Sequence, residues 1–236
     1  MKYIPCIPGV IHHTNMYMKL NATKWIELEI IIALTIIIAL NAILFSNLSA
    51  GERGNLITFS GVHISSLVYG IYIWFSIACL ILNKKKWLRS VFIGLLSFMV
   101  VHILSNLYLL IRDPKISDNG GAILTDAMLI WAVNLLVFAL YYWIVDRGGP
   151  IARINKNSET RYDLLFPQYQ TKIPGWDNWR PRFLDYLFFS FFTSTGFSPA
   201  DTLPLSKRVK FLMMLEAFVS LIIIGMVASR AISLIQ

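Results

Sequence analysis

The apolar positions of this chain fall in long runs separated by short polar turns. Ile30 to Leu48 is the first run, entered by Trp25, Glu27 and Glu29. Asn55 to Leu82 is the second, with Tyr69, Tyr72 and Trp74 along it. Val91 to Ile111 is the third, closed by Arg112, Asp113 and Pro114. A short polar loop with Asn119, Gly120 and Gly121 leads to the fourth, Ala127 to Val145. At 1.5 Å per helical residue each run can cross a hydrocarbon core of about 30 Å. The short turns predict that consecutive helices pack antiparallel. Trp131 and the triplet Tyr141, Tyr142 and Trp143 are placed as interface aromatics at the two ends of the fourth run.

Two later segments break this pattern. From Asp146 to Arg182 the chain carries Gly148, Gly149, Pro150, Pro167, Pro174, Gly175 and Pro181 among mixed charges, which predicts one long irregular connection. Within it, Tyr162 to Phe166 and Trp176 with Trp179 suggest a piece lying on the membrane surface. Phe183 to Thr193 is then apolar for only about 16 Å, roughly half a hydrocarbon core. It runs into a polar loop containing Gly196 and Pro199, and a longer apolar run follows Pro204. A short helix dipping in and a loop climbing back is the pattern of a re-entrant hairpin. Irregular backbone at that depth is tolerated only where it is buried in protein or lines a wet cavity.

The expected fold is therefore an all-α integral membrane protein with five transmembrane helices and a re-entrant helix-loop before the last of them. It divides into an N-terminal interfacial segment (1–29), a four-helix transmembrane bundle (30–145), an irregular interfacial loop (146–182), and the re-entrant helix, loop and last helix (183–236).

Composition supports the class. Hydrophobic residues make up 56% of the 236 and charged residues 14%, where a soluble domain carries about 25% charged. The net charge of +8 does not point to nucleic acid, because Lys and Arg sit at the ends of apolar runs, as headgroup anchors do, rather than in one stripe. The N-terminus has two prolines and no uninterrupted apolar core, so it does not read as a signal peptide. Lys/Arg counts orient the chain. With the N-terminus in the cytoplasm, Lys2, Lys19, Lys24, the Lys84–Arg89 cluster and the basic residues of the long loop all lie inside. The outside then holds only Arg53, Arg112, Lys115 and Arg230.

Cys6 and Cys79 are too few for a metal motif or a disulfide framework. No residue set has metal spacing, and no phosphate-binding or nucleophile motif is present. The turn Asp146 to Pro150 has the composition of an anion-binding nest of backbone N–H groups, or of a Gly-Gly-Pro turn ending a helix. Polar groups within the spans are few: Asn41, His102, Ser105, Asn106, Asp126, Asn134 and Glu216. Such residues face the protein interior or water; interhelical hydrogen bonding accounts for the asparagines. His102 lies well inside its span. Glu216 lies about 9–13 Å past the basic residues Lys207, Arg208 and Lys210, a depth at which a carboxylate needs a partner, a proton or water. Two roles stay open for it: fixing the hairpin to its helix through a salt bridge or hydrogen bonds, or lining a cation path.

The hairpin resembles the pore-helix, filter and inner-helix module of potassium-type ion channels. Tyr186 to Phe191 looks like the pore helix, Thr193 and Thr195 fall on pore threonines, and Asp201 and Pro204 fall on the Asp and Pro that follow the filter. Ser198-Pro199-Ala200 stands where those channels have Gly-Tyr-Gly, and Pro199 has a fixed φ, so potassium selectivity does not carry over. The chain also resembles a family of bacterial multi-pass membrane proteins that share an xDRGGP segment, an LFPQ segment and a DYLYxSFTNxTAFSPTDTMPLxRxxKxLM hairpin. Asp146 to Pro150, Leu165 to Gln168 and Asp185 to Met213 carry that likeness. It implies a fold and a membrane location but no activity. Potassium-type pores enter from outside, whereas the charge bias puts this hairpin's approach loop inside; an inverted pore, as in glutamate-receptor channels, reconciles the two.

The expected function is a channel-like protein of the bacterial plasma membrane, not an enzyme, without cofactor or metal. Its partners are the lipid bilayer, small ions and further copies of itself. The constriction is expected at Thr193, Ser194, Thr195, Gly196, Phe197, Ser198, Pro199 and Asp201, with Glu216, His102 and Asn134 as intramembrane polar groups. The alternative is a small transporter or an accessory subunit with a non-conducting hairpin.

Overall fold

A computed structural model describes residues 25, 28–44, 58–59, 62–63, 85–112, 120–154, 161–170, 179–197 and 201–233. The architecture is helical. The first helix, α1 (Leu28–Leu44), is an almost unbroken aliphatic sequence in which the two polar side chains beyond Glu29 turn back on it. The Thr35 hydroxyl donates to the Ile31 carbonyl (2.7 Å) and the Asn41 amide to that of Ile37 (2.9 Å), a local bond that hides a polar group from an apolar surrounding. Ala33, Ile37 and Leu44 face the core.

A pair of two-residue strands, β1 (Thr58–Phe59) and β2 (Val62–His63), follows. Thr58, Phe59 and Val62 are strand-favouring residues, and Ser60-Gly61 between the strands is the composition of a tight hairpin connection. A helical run beginning at Asn55 is corrected on this point; the rest of Asn55 to Leu82 lies outside the described residues.

The helices α2 (Lys85–Arg112) and α3 (Gly120–Val145) pack on each other through Leu95, Leu96, Met99 and Ile103 of α2 and Ala127, Ile130, Val137 and Leu140 of α3. Ser97 on α2 and the phenol of Tyr141 on α3 add a 2.7 Å hydrogen bond. The α3 helix is central. It packs against α2 on one side and against two later helices on the other, and it is apolar nearly all round, as a helix enclosed by protein must be.

At Asp146–Gly148 the chain turns. Arg147 takes a left-handed conformation (φ 49°), followed by Gly148 (φ 81°) and Gly149 (φ 100°). Pro150 then opens the short α4 (Pro150–Ile154), where its missing N–H costs nothing. Beyond it, β3 (Leu164–Leu165) leads into α5 (Pro167–Gln170). The half-length apolar run becomes α6 (Phe183–Thr195), ended by Gly196 in a left-handed cap (φ 76°). A strand β4 (Leu203–Pro204) pairs antiparallel with β3, Leu164 opposite Pro204 and Leu165 opposite Leu203. The last helix is α7 (Lys207–Ser233).

The starts of α6 and α7 meet at the same end of α3. Tyr186, in the first turn of α6, bonds Asp146 just past the end of α3. Leu205 and Ser206, just before α7, bond the carbonyl of Asp163, whose own N–H bonds Asp146. The start of α1 joins them, for Glu29 accepts from the Arg182 side chain and from the Phe183 N–H at the head of α6.

Two helical stretches, Leu124–Gly148 and Lys207–Ser229, are long and apolar enough to cross a membrane. Polarity runs inside out around them. Ile31 and Ile32 of α1, Val101 of α2, Phe188 of α6 and Phe211, Phe218 and Leu221 of α7 are exposed, while Asn134, Asp146, Ser190, Glu216 and Ser220 are completely buried. Such an outer surface is unfavourable in water and suits a hydrocarbon surrounding.

Candidate functional site

Two polar clusters interrupt the apolar core where α3, α6 and α7 meet. They lie about one helical turn apart along each element, Asp146 to Tyr142 on α3 and Tyr186 to Ser190 on α6.

The outer cluster grows from Asp146. Its Oδ2 accepts from the Tyr186 phenol (2.7 Å) and lies 3.5 Å from Nη1 of Arg153. Its Oδ1 accepts from the backbone N–H of Asp163 (3.3 Å) and Leu164 (3.1 Å). Arg153 also donates to the carbonyls of Trp143 (3.0 Å) and Asp146 (2.7 Å), so it caps the carbonyl end of α3, where a cation is favoured. Asp163 accepts from the Arg147 N–H (3.1 Å) and from Arg208 (3.3 Å). Of the turn's backbone N–H groups, that of Arg147 meets the Asp163 carboxylate and that of Gly149 bonds the Asp146 carbonyl (2.9 Å), closing a turn at the end of α3. The Arg147 guanidinium lies 4.2 Å over the ring of Tyr162 and 5.8 Å over that of Tyr169. Burial pushes the Tyr169 phenol up from its ordinary value against the pull of Arg147 and Arg153.

The inner cluster centres on Glu216, which is fully buried. Its Oε2 accepts from the Tyr142 phenol (2.6 Å), and its Oε1 is in short contact with the Ser190 hydroxyl. Ser190 also lies 2.9 Å from the carbonyl oxygen of Leu135. The Thr193 hydroxyl, which donates to the Phe189 carbonyl (2.9 Å), reaches the Tyr142 phenol. One turn along α7, Ser220 accepts from the Asn134 amide (3.1 Å). Among the described residues no Lys or Arg forms an ion pair with Glu216. Of the two roles open from the sequence, its contacts are those of hydrogen bonds fixing α6 and α7 to α3.

The filter-like residues are differently placed. Thr193 and Ser194 are buried, and Ser194 donates to the Phe191 carbonyl (2.9 Å). Thr195 also turns back, to the Phe191 carbonyl (2.9 Å). Gly196 caps the helix, Phe197 is exposed, and Asp201 is exposed with the Thr202 hydroxyl 3.4 Å away. Ser198 and Pro199 lie outside the described residues. Asn134 belongs to the inner cluster, whereas His102 stacks on Phe98 of its own helix, with centroids 6.5 Å apart.

Sequence patterning misses the partners. Tyr142 is not an interface aromatic but a core residue, and the likenesses that take in Tyr186 and Ser190 name no partner for either, nor does any motif for Asp163. The available signal is spacing. Tyr142 and Asp146, Tyr186 and Ser190, and Glu216 and Ser220 are each four apart, so each pair shares a helix face. No protein-family model, curated protein or solved structure matches this chain.

Proposed function

We propose that this chain is a multi-pass protein of a cell membrane whose 183–230 segment is a re-entrant helix-loop-helix module, and that copies assemble around it as a channel-like protein for small ions. One observation carries this reading: α6 and α7 both start at the same end of α3, tied there through Tyr186–Asp146 and Leu205–Asp163. A helix of 13 residues, about 20 Å long, thus enters on the side to which the chain returns before α7 crosses.

The outer faces of the module support assembly. Phe188, Phe197, Phe211, Met214, Phe218 and Leu221 are large apolar side chains left exposed on the module, and a single hairpin of this length cannot enclose a path. Glu216 faces the other way, into the contact with α3, so it anchors the module, and Gly196, Phe197 and Asp201 are left to the path. The alternative, a transporter or accessory subunit with a non-conducting hairpin, is favoured by Thr193, Ser194 and Thr195, whose hydroxyls are taken up by carbonyls of their own helix.

Flux decides between them. Purified protein in liposomes is expected to pass small ions above the level of empty liposomes. No movement of several cations and anions at both signs of voltage leaves the accessory-subunit reading.

A further inference from the structure

Counting protons in the inner cluster shows what Glu216 must carry. Ser190 has a single hydroxyl proton and two acceptors in reach: the Leu135 carbonyl oxygen at 2.9 Å and Glu216 Oε1 in short contact. A carbonyl has no proton to give. The Tyr142 phenol is committed to Glu216 Oε2 at 2.6 Å. An ionised Glu216 leaves the one Ser190 proton shared between two acceptors, whereas a proton on Oε1, donated to Ser190 while Ser190 donates to Leu135, gives each oxygen pair a proton of its own.

The surroundings agree. The groups facing Glu216 are the Tyr142 phenol from α3, the Ser190 hydroxyl from α6 and, one turn along its own helix, Ser220, which is taken up by Asn134. All are neutral. Beyond the end of α3, Asp146 and Arg153 of α4 pair with each other about one turn further out, and Asp126, the charge within α3 itself, lies about four helical turns away toward its other end. A carboxylate buried without a cation takes a proton instead.

We propose that Glu216 is a proton-binding site within the core and that its proton latches α6 to α3 and α7. Bound, it completes the chain of donors from α7 through Ser190 to α3. Released, it leaves a buried charge that only withdrawal of α6 and entry of water can relieve. The packed state holds one proton more than the loosened state, so lower pH favours packing and higher pH favours loosening. This inference concerns the packing of α6 and holds whether or not the protein conducts ions.

The test places a Ser194→Cys reporter, at a buried position of α6, in full-length protein with Cys6→Ala and Cys79→Ala, reconstituted in lipid. Its labelling by a water-soluble thiol reagent is followed as pH rises, and normalised to the same reporter with Glu216→Gln. The glutamine amide donates to Ser190 and accepts from Tyr142, so it copies the protonated form at every pH, and the ratio cancels the thiol's own ionisation. The ratio is expected to climb toward about tenfold per pH unit, the factor that linkage assigns to one exchanged proton. A ratio that stays flat overturns the proposal, as does loss of folding in Glu216→Gln. Infrared spectroscopy gives a second reading: wild-type protein should show a protonated-carboxyl stretch that Glu216→Gln removes, and absence of that band overturns the proposal as well.

Discussion

Asp146 and Asp163 are both almost fully buried and each bonds a basic residue, yet the two pairs differ in what they contribute. The Arg153 side chain is as hidden as its partner Asp146, whereas the Arg208 side chain is mostly in solvent. Arg153→Ala leaves a buried carboxylate without its cation and is expected to cost about 3–5 kcal/mol. Arg208→Ala gives up an exposed partner and is expected to cost at most about 1 kcal/mol. Thermal unfolding of purified protein in detergent separates the two. By the same measurement Tyr142→Phe, which removes one donor from Glu216 and keeps the ring against Phe189 (centroids 4.9 Å), is expected to cost about 1–3 kcal/mol. At this scale the sequence yields depth but not partners. The position of Glu216 is legible because a charge stands out in an apolar run. Tyr142 and Ser190 are not, because a tyrosine near a helix end and a serine among phenylalanines have ordinary reasons to be there.

Two glycines fix where elements stop. Gly149 (φ 100°) reverses the chain after α3, and a Cβ there would lie 3.2 Å from the Ile144 carbonyl oxygen. Gly196 (φ 76°) caps α6 with open space around it. Gly149→Ala therefore meets both strain and a tight contact and is expected to lose about 1–3 kcal/mol, while Gly196→Ala meets strain alone and loses about 1 kcal/mol; equilibrium unfolding of the two variants orders them. The helices α1, α2, α3, α6 and α7 are all foreshadowed by apolar runs, although α2 starts six residues before its run (Lys85 against Val91) and α3 seven (Gly120 against Ala127). The strand pair β3–β4 is not, because a two-residue strand has no period to detect. It exists because Asp163 holds Leu205 and Ser206 beside it.

For the whole molecule, the distribution of Lys and Arg between the two sets of loops gives reporter fusions an expected outcome. Reporters after Lys86 and within 155–159 are expected to report the cytoplasm and one at Asp118 the outside, because Lys and Arg are retained on the inner side. A cytoplasmic Asp118 with an external Lys86 reverses the orientation. The helical class was legible from run lengths alone. The meeting of α1, α6 and α7 at one end of α3 was not, since it rests on side-chain bonds between residues as far apart in the chain as Glu29 and Phe183.

That longest connection has a consequence for how the protein is made. A helix of 13 residues is too short to be stable alone, and the head of α6 borrows its cap from Glu29, among the first residues of the bundle to leave the ribosome. The Glu29 carboxylate must wait, unmatched, while more than a hundred residues are synthesised and threaded. Docking of α6 is then a late event of biogenesis, completed only when α7 follows and brings Glu216 to Ser190, and a chain arrested before Phe183 would hold an acidic anchor with nothing to anchor.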